Sequence, residues 1–368
     1  MSGGGADREA DPFAAVPEQA EAKRLLRAAL GEGGAHAFLL HGPAGTGKRR
    51  AARAFAAAVL GDAARVAHGT HPDLYVLEPV GEMIRIDEIR RLRHDLHLRP
   101  YEAQHRVYVI HATHLLNDDA ADALLKDLEE PPAYALILLL ADELGQLPET
   151  IRSRCQLVPF RRLSGRAIRA YLDEHAPGLD EAQRVALARV AGGRLDRAER
   201  LLDPEAATRR AELLATARSV YADAEFDPAE AAATVLDAAR RSGVVARDRA
   251  EAELEGLGLP AREADQRVRR AQRGAEREEL LASLEELASW YRDLVVATAG
   301  AESALVHADH LPVLREDASP ARGVDAERAA ELVRGVWRSL EEFNLAPQLA
   351  LEALFVQLRR AFANAVPA

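Results

Sequence analysis

Cysteine is nearly missing from this chain: 368 residues contain one, Cys155. That excludes a disulfide framework and any zinc module built on several thiolates. Lysine is almost as scarce, confined to Lys23, Lys48 and Lys126, so the basic residues are nearly all arginine. Such a bias suggests a GC-rich coding sequence, and arginine abundance is then no sign of nucleic-acid binding. Acidic residues outnumber basic ones, 59 to 48, for a formal charge of −11. That balance weighs against an independent, tight grip on DNA, where phosphate neutralisation dominates affinity. Long apolar runs are absent too. The longest, Ala133–Ala141, has nine residues, against the roughly 20 that cross a bilayer. The opening MSGGGADREADPF is glycine-rich and acidic, without the basic-then-apolar order of a secretory signal. The expectation is a cytoplasmic protein with no metal site and no membrane segment.

What is present is a globular balance, 48% hydrophobic and 29% charged. The length predicts two or three domains. After a start over residues 1–12 expected to be disordered, an amphipathic helix is predicted near Pro17–Leu30. Short apolar runs at Ala37–Leu40, Leu74–Leu77, Arg106–Ile110, Ala135–Leu140 and Leu157–Phe160 then alternate with helical periodicity at Arg49–Leu60, Ile86–Leu98 and Asp118–Leu128. Strands alternating with helices predict a parallel sheet covered on both faces, an α/β domain over residues 13–163. Beyond Leu163 the strand signals stop. Three short helices, Ser164–Glu174, Asp180–Ala191 and Asp196–Leu202, are set off by Pro177-Gly178 and Gly192-Gly193. They predict a small helical lid over 164–203, followed by an all-helical domain over 204–368. Its predicted helices are Glu205–Tyr221, Pro228–Arg241, a charged stretch through Val296, Asp325–Phe343 and Pro347–Asn364. The mixed Arg and Glu of residues 247–278 are the pattern of a solvated helix face laced with i,i+4 pairs.

Between the first strand and its helix stands Gly42-Pro43-Ala44-Gly45-Thr46-Gly47-Lys48. This is the G-x-x-x-x-G-K core of a phosphate-binding loop in its required strand-to-helix context. Glycines let backbone N–H groups turn inward, and the helix N-terminus favours an anion. The next position breaks the pattern: a hydroxyl that ligates Mg²⁺ normally follows the lysine, and here Arg49 does. After the strand RVYVI, where an ATPase places its carboxylates, the chain has His111-Ala112-Thr113-His114. Two histidines without a third ligand do not make a metal site. Lys48 can hold an anion or hydrogen-bond the loop's own carbonyls; both remain open. Glu129-Glu130-Pro131-Pro132 ends a helix, since proline cannot continue one.

The series HAFLLHGPAGTGK, THPDL (Thr70–Leu74), IRIDEIRRL (Ile84–Leu92), DALLKDLEEPP (Asp122–Pro132) and IRSRCQ (Ile151–Gln156) resembles the bacterial clamp-loader AAA+ proteins, the gamma/tau and delta-prime subunits of DNA polymerase III. The resemblance is dense over residues 13–165 and returns in ELASWYRDL (Glu286–Leu294) and NLAPQLALEALFVQLR (Asn344–Arg359). It implies an AAA+ sheet domain, a lid and an all-helical collar. The departures from the pattern match the delta-prime side of the family. The nucleotide loop is degenerate, there is no four-cysteine module before HPD, and Ser153-Arg154-Cys155 is intact.

The resemblance further implies that Arg154 is an arginine finger acting on ATP bound with Mg²⁺ by a neighbouring gamma/tau subunit, supported by Ser153 and Cys155. A permanently charged planar fork suits that task. Gly42, Gly45, Gly47 and Lys48 would form a degenerate nucleotide-binding loop, no cofactor of the chain's own would be required, and Arg194 or Arg197 matches the second sensor arginine. Implied partners are gamma/tau, delta, the beta sliding clamp and, through the assembled ring, primer–template DNA. Collar leucines Leu349, Leu351, Leu354 and Leu358 are expected to meet other subunits. The competing expectation is an active AAA+ ATPase.

Overall fold

The computed structural model describes residues 11–32, 35–79, 83–145, 147–255, 261–342 and 346–363. The expected disordered start lies outside them apart from Asp11 and Pro12, as do the expected helix ends Phe343 and Asn364. Contacts divide the chain into two compact units, Met1–Pro177 with Gly192–Arg197, and Gly178–Ala191 with Ala198–Ala368. The segment 164–203 is therefore shared between them.

The first unit runs α1 (Ala20–Glu32), β1 (Ala37–His41), α2 (Lys48–Leu60), α3 (Ala63–Ala67), β2 (Leu74–Leu77), α4 (Ile86–Leu96), β3 (Arg106–Ile110), α5 (Asp118–Glu129), β4 (Ala135–Ala141), α6 (Glu149–Arg152), β5 (Gln156–Pro159) and α7 (Gly165–His175). All five strands are parallel, in the order β2-β3-β4-β1-β5. The α/β class expected from the sequence is what the structure shows. Side chains alternate across the sheet with period two. Phe38, Leu40, Val107, Val109, Leu138 and Leu140 pack with Leu26 of α1, Phe55 of α2 and Val66 of α3. Leu39, Tyr108, Ile110, Ile137 and Leu139 pack with Leu92 of α4, Leu124 of α5 and Ile151 of α6. Burial on both faces is why the strands read as unbroken apolar runs, each enclosed leucine stabilising by about 1.5–3 kcal/mol.

Local signals set the helix ends. Asn117 caps α5 by accepting from the Ala120 N–H at 3.1 Å, and Ser164 caps α7 in the same way through Ala167. Helix α5 stops at Glu129, ahead of the two prolines. The short α3, α6 and a 3₁₀ turn at Thr113–Leu115 were not expected; four or five residues carry too little periodicity to be read.

The second unit is helical: α8 (Glu181–Ala191), α9 (Leu195–Leu202, whose first residues belong to the first unit), α10 (Pro204–Ala222), α11 (Pro228–Leu254), α12 (Ala261–Thr298), α13 (Leu311–Asp317), α14 (Pro320–Glu342) and α15 (Pro347–Ala363). Helix α11 passes the expected end at Arg241 because Gly243 does not stop it. A Cβ there would meet Glu276 of α12 at 2.4 Å, so the glycine marks a close helix crossing. The charged stretch does carry the expected i,i+4 pairs, such as Arg249–Glu253 at 2.8 Å and Arg269–Asp265 at 3.1 Å. One expectation fails. Leu351, Leu354 and Leu358 share a face of α15 and are fully buried in this unit's own core with Trp290, Tyr291 and Leu294, so they are not a surface for other subunits. Leu349 lies off that face and is 68% exposed.

The THPDL motif acts at the entrance to the sheet. His71 Nδ1 accepts from the Asp73 N–H at 3.1 Å, and the buried Asp73 carboxylate accepts three backbone N–H groups, from Tyr101 (2.6 Å), Glu102 (2.9 Å) and Ala103 (2.9 Å). Burial alone would raise the Asp73 pKa, but these donors and the Arg106 charge pull it below the usual carboxylate value. A depressed acid pKa stabilises the fold above the unfolded value of about 3.9 and stops doing so as pH falls through the lower folded value. Asp73→Asn is therefore expected to lower the unfolding free energy by about 1–3 kcal/mol at neutral pH. The deficit should shrink below about pH 4, as urea denaturation at a series of pH values would show.

Candidate functional site: the nucleotide loop and the Ser-Arg-Cys turn

The loop between β1 and α2 sits at the carboxyl edge of the sheet, where the path from β4 to β5 steps over β1. Such switch points are where open parallel sheets bind ligands. Gly42 has φ +133°, and a Cβ on it would overlap the Phe160 carbonyl oxygen at 2.0 Å. Gly45, at φ +71°, also adopts a conformation that favours glycine, and a Cβ there would meet the Asp196 side chain. Gly47 precedes α2 and accepts the Ala51 N–H at 2.9 Å. All the expected loop residues are thus brought together in a tight turn.

Lys48 is 6% exposed and its ammonium is fully engaged. It donates to the carbonyls of Gly42 at 2.5 Å and Pro43 at 2.7 Å, and pairs with Asp142 Oδ1 at 2.8 Å. Of the two uses open for it, the structure displays the second, with a carboxylate added. Burial pushes the Lys48 pKa down while Asp142 holds it up; the net effect is downward. Sequence reading missed Asp142, although it directly follows the apolar run of β4. Since Ala141 pairs with His41, Asp142 must emerge beside Gly42.

Arg49 occupies the position of the Mg²⁺-binding hydroxyl. It turns outward, 69% exposed by its side chain, with Nη1 3.7 Å from Glu78 Oε1. Beyond β3, His111 is buried, and its Nδ1 has no hydrogen-bond partner among the described residues. Thr113 Oγ1 donates to the Leu140 carbonyl at 3.0 Å, and His114 Nδ1 accepts the Asp142 N–H at 3.3 Å. Among the described residues no group of three or more His, Cys, Asp or Glu is arranged to hold a metal ion. These residues do not fit Mg-bound triphosphate: hydroxyl and carboxylate are replaced by cation and imidazole, and the lysine is spent on internal acceptors.

The second site centres on the turn after α6. Arg154 Nε donates to Glu129 Oε1 at 2.6 Å, Nη2 contacts the same oxygen, and Nη1 donates to the Thr150 carbonyl at 2.8 Å. Ser153 Oγ is 3.4 Å from Nη1 and itself donates to the Thr150 carbonyl at 3.2 Å. Cys155 packs under the turn against the α4–α6 side of the core. Burial pushes its thiol up to about 12, so it is inert as a nucleophile. Glu129, read from sequence only as a helix end, is thus the counter-ion of Arg154. Arg194 lies over Gly45, but its guanidinium is committed to Asp196, with Nη2–Oδ2 at 2.9 Å; the Arg197 N–H donates to Asp196 Oδ1 at 2.8 Å.

Burial, then the Arg49 charge, only partly opposed by Glu78, lowers the His111 pKa to about 4. Its depressed value means the unfolded chain binds the proton first, so stability falls as pH drops from about 6.5 and the loss is complete below the folded value near 4. An NMR titration is expected to show His111 still neutral at pH 5.5, below the usual imidazole value of about 6.5.

A family model described as "DNA polymerase III, delta subunit" matches residues 18–164. DNA polymerase III subunit delta-prime of Pseudomonas aeruginosa is 38% identical over 170 residues, 40% of this chain and 51% of that protein. DNA polymerase III subunit tau of Bacillus subtilis is 33% identical over 198 residues, 49% of this chain and 35% of that protein. The chain therefore spans about half, or less, of the length of these curated relatives. A solved structure of a DNA polymerase III gamma subunit-related protein from Thermotoga maritima is 17% identical at TM-score 0.48, covering 93% of this chain and 99% of that one. The likeness is to delta-prime and tau subunits alike, and the family match falls on the sheet that carries both sites.

Proposed function

We propose that this chain is the non-hydrolysing, delta-prime-like stator of a bacterial clamp loader, lending Arg154 in trans to ATP·Mg bound by a neighbouring gamma/tau subunit. The observation that carries this reading is the contrast between the two sites. The chain's own loop has lost the hydroxyl and carboxylate groups that phosphoryl transfer needs, while an arginine on a framed turn has been kept. Its guanidinium remains 31% exposed and is held by a single carboxylate, that of Glu129. Ion pairs at the surface are worth little, about 0–1 kcal/mol, so the fork is released at low cost when a phosphate offers stronger charge-assisted bonds. Facing a γ-phosphate, it would stabilise the charge that builds in the transition state.

In this reading the partners are gamma/tau and delta subunits. Together they open and seat the beta sliding clamp on primer–template DNA in the cytoplasm, at the replisome. DNA is met by the assembled ring through backbone charge rather than base sequence. No helix among the described residues is long and apolar enough to cross a membrane.

Arg154→Ala in a loader reconstituted with gamma/tau and delta is expected to cut DNA-stimulated ATP turnover at least tenfold, with roughly 10³–10⁵ as the ceiling set by trans fingers in GTPases. Arg154→Lys should not restore it, because a point charge lacks the fork. Size-exclusion chromatography would establish that the complex still forms. Unchanged turnover in an intact complex would remove the finger, and phosphate release by the purified chain alone would favour an active ATPase instead.

A further inference from the structure

The phosphate loop is not merely short of catalytic groups; another part of the same unit lies on top of it. The segment Gly192–Arg197 is anchored at two points. Leu163 N–H donates to the Gly193 carbonyl at 2.9 Å, and Leu195 N–H donates to the Gly45 carbonyl at 2.7 Å. Directly after the second anchor, the Asp196 carboxylate lies against the crest of the loop. A Cβ on Gly45 would lie 1.9 Å from Asp196 Oδ1, 2.6 Å from its Cγ and 3.0 Å from Arg194 Cβ. Arg194, through Nε at 3.2 Å and Nη2 at 2.9 Å, and the Arg197 N–H at 2.8 Å clamp the carboxylate in place. Asp196 is also close enough to Lys48 to act on its charge.

From this geometry we infer that Asp196 masks a residual polyphosphate site: its carboxylate takes the anion's place over Gly45 and keeps the triphosphate of a nucleotide out. A loop of glycines at a helix N-terminus beside a buried lysine is an anion receptor by construction. Two carboxylates, Asp142 on Lys48 and Asp196 on the crest, now supply the negative charge. An incoming polyphosphate meets a fixed like charge and a filled space at once. Lys48 can remain buried in the loop because its charge is compensated from within the chain. The inference concerns this chain's own loop and holds or fails independently of Arg154.

The test is calorimetric titration of the full chain with ATP and, as a base-free arm, inorganic tripolyphosphate. Wild type is expected to bind either more weakly than about 1 mM, and Asp196→Ala to bind both at least about tenfold more tightly. The gain should vanish in Asp196→Ala/Lys48→Ala, which locates it at the loop; a gain that survives loss of Lys48 overturns the inference. Asp196→Asn, which keeps the side-chain shape, should show a smaller gain and serves where the alanine variant does not fold. Equal affinity of wild type and folded variants would overturn the masking. So would amide-exchange protection of residues 42–48 in wild type on adding tripolyphosphate, a reading that needs no variant. Loss of the Arg154 effect in the loader assay would leave these outcomes untouched, and the reverse also holds.

Discussion

A single ammonium under a glycine loop governs the edge of the sheet. Lys48 is almost out of water, and a buried cation is tolerated only where acceptors surround it. Gly42 and Pro43 turn their carbonyls toward it, and Asp142 comes across from the neighbouring strand to balance its charge. These demands determine how β1 and β4 end and why Gly42 takes a backbone conformation closed to other residues. Asp196 adds a second negative charge above the same loop. The loop's lysine is thus neutralised from within the chain at the joint between sheet and helix.

That joint belongs to the scaffold of the sheet. The parallel sheet needs its edge loops closed and its strands covered, and both conditions are met without any metal-binding hydroxyl or carboxylate. The Ser-Arg-Cys turn is under a different constraint. Its cysteine is a packing residue with a thiol held protonated by burial. Its serine braces the turn through the Thr150 carbonyl. Its arginine is partly buried, with its side chain still 31% exposed. The guanidinium is held by the half-exposed Glu129 carboxylate and by the Thr150 carbonyl.

Much of the fold was legible from the residues. Each strand of the first unit was visible as a short apolar run, and most helices as apolar spacing, with the proline pair after Glu130 marking one helix end. Helix α11 runs past the expected end at Arg241, and Gly243 within it lies close against Glu276 of α12. The leucines of α15 were visible as an apolar face, but a pattern says that a face is covered and not by what. Packing gives Leu351, Leu354 and Leu358 to Trp290, Tyr291 and Leu294 of the same unit. The candidate site was half legible: Gly42, Gly45, Gly47, Lys48 and Arg154 could be named, their carboxylate partners could not.

By itself the sequence determined the parallel α/β class, the strand-to-helix glycine loop, the absence of a hydroxyl after Lys48 and the kept Ser153-Arg154-Cys155. These are local facts, carried by spacing and residue type within a few positions. Only the tertiary structure decided that Lys48 answers to Asp142, Gly45 to Asp196, Arg154 to Glu129, and Asp73 to the backbone of residues 101–103. The reason is geometric. A charge finds its partner through strand order and loop reach, which put residues far apart in the chain within 3 Å of one another. Neither strand order nor loop reach is written in any single stretch of sequence.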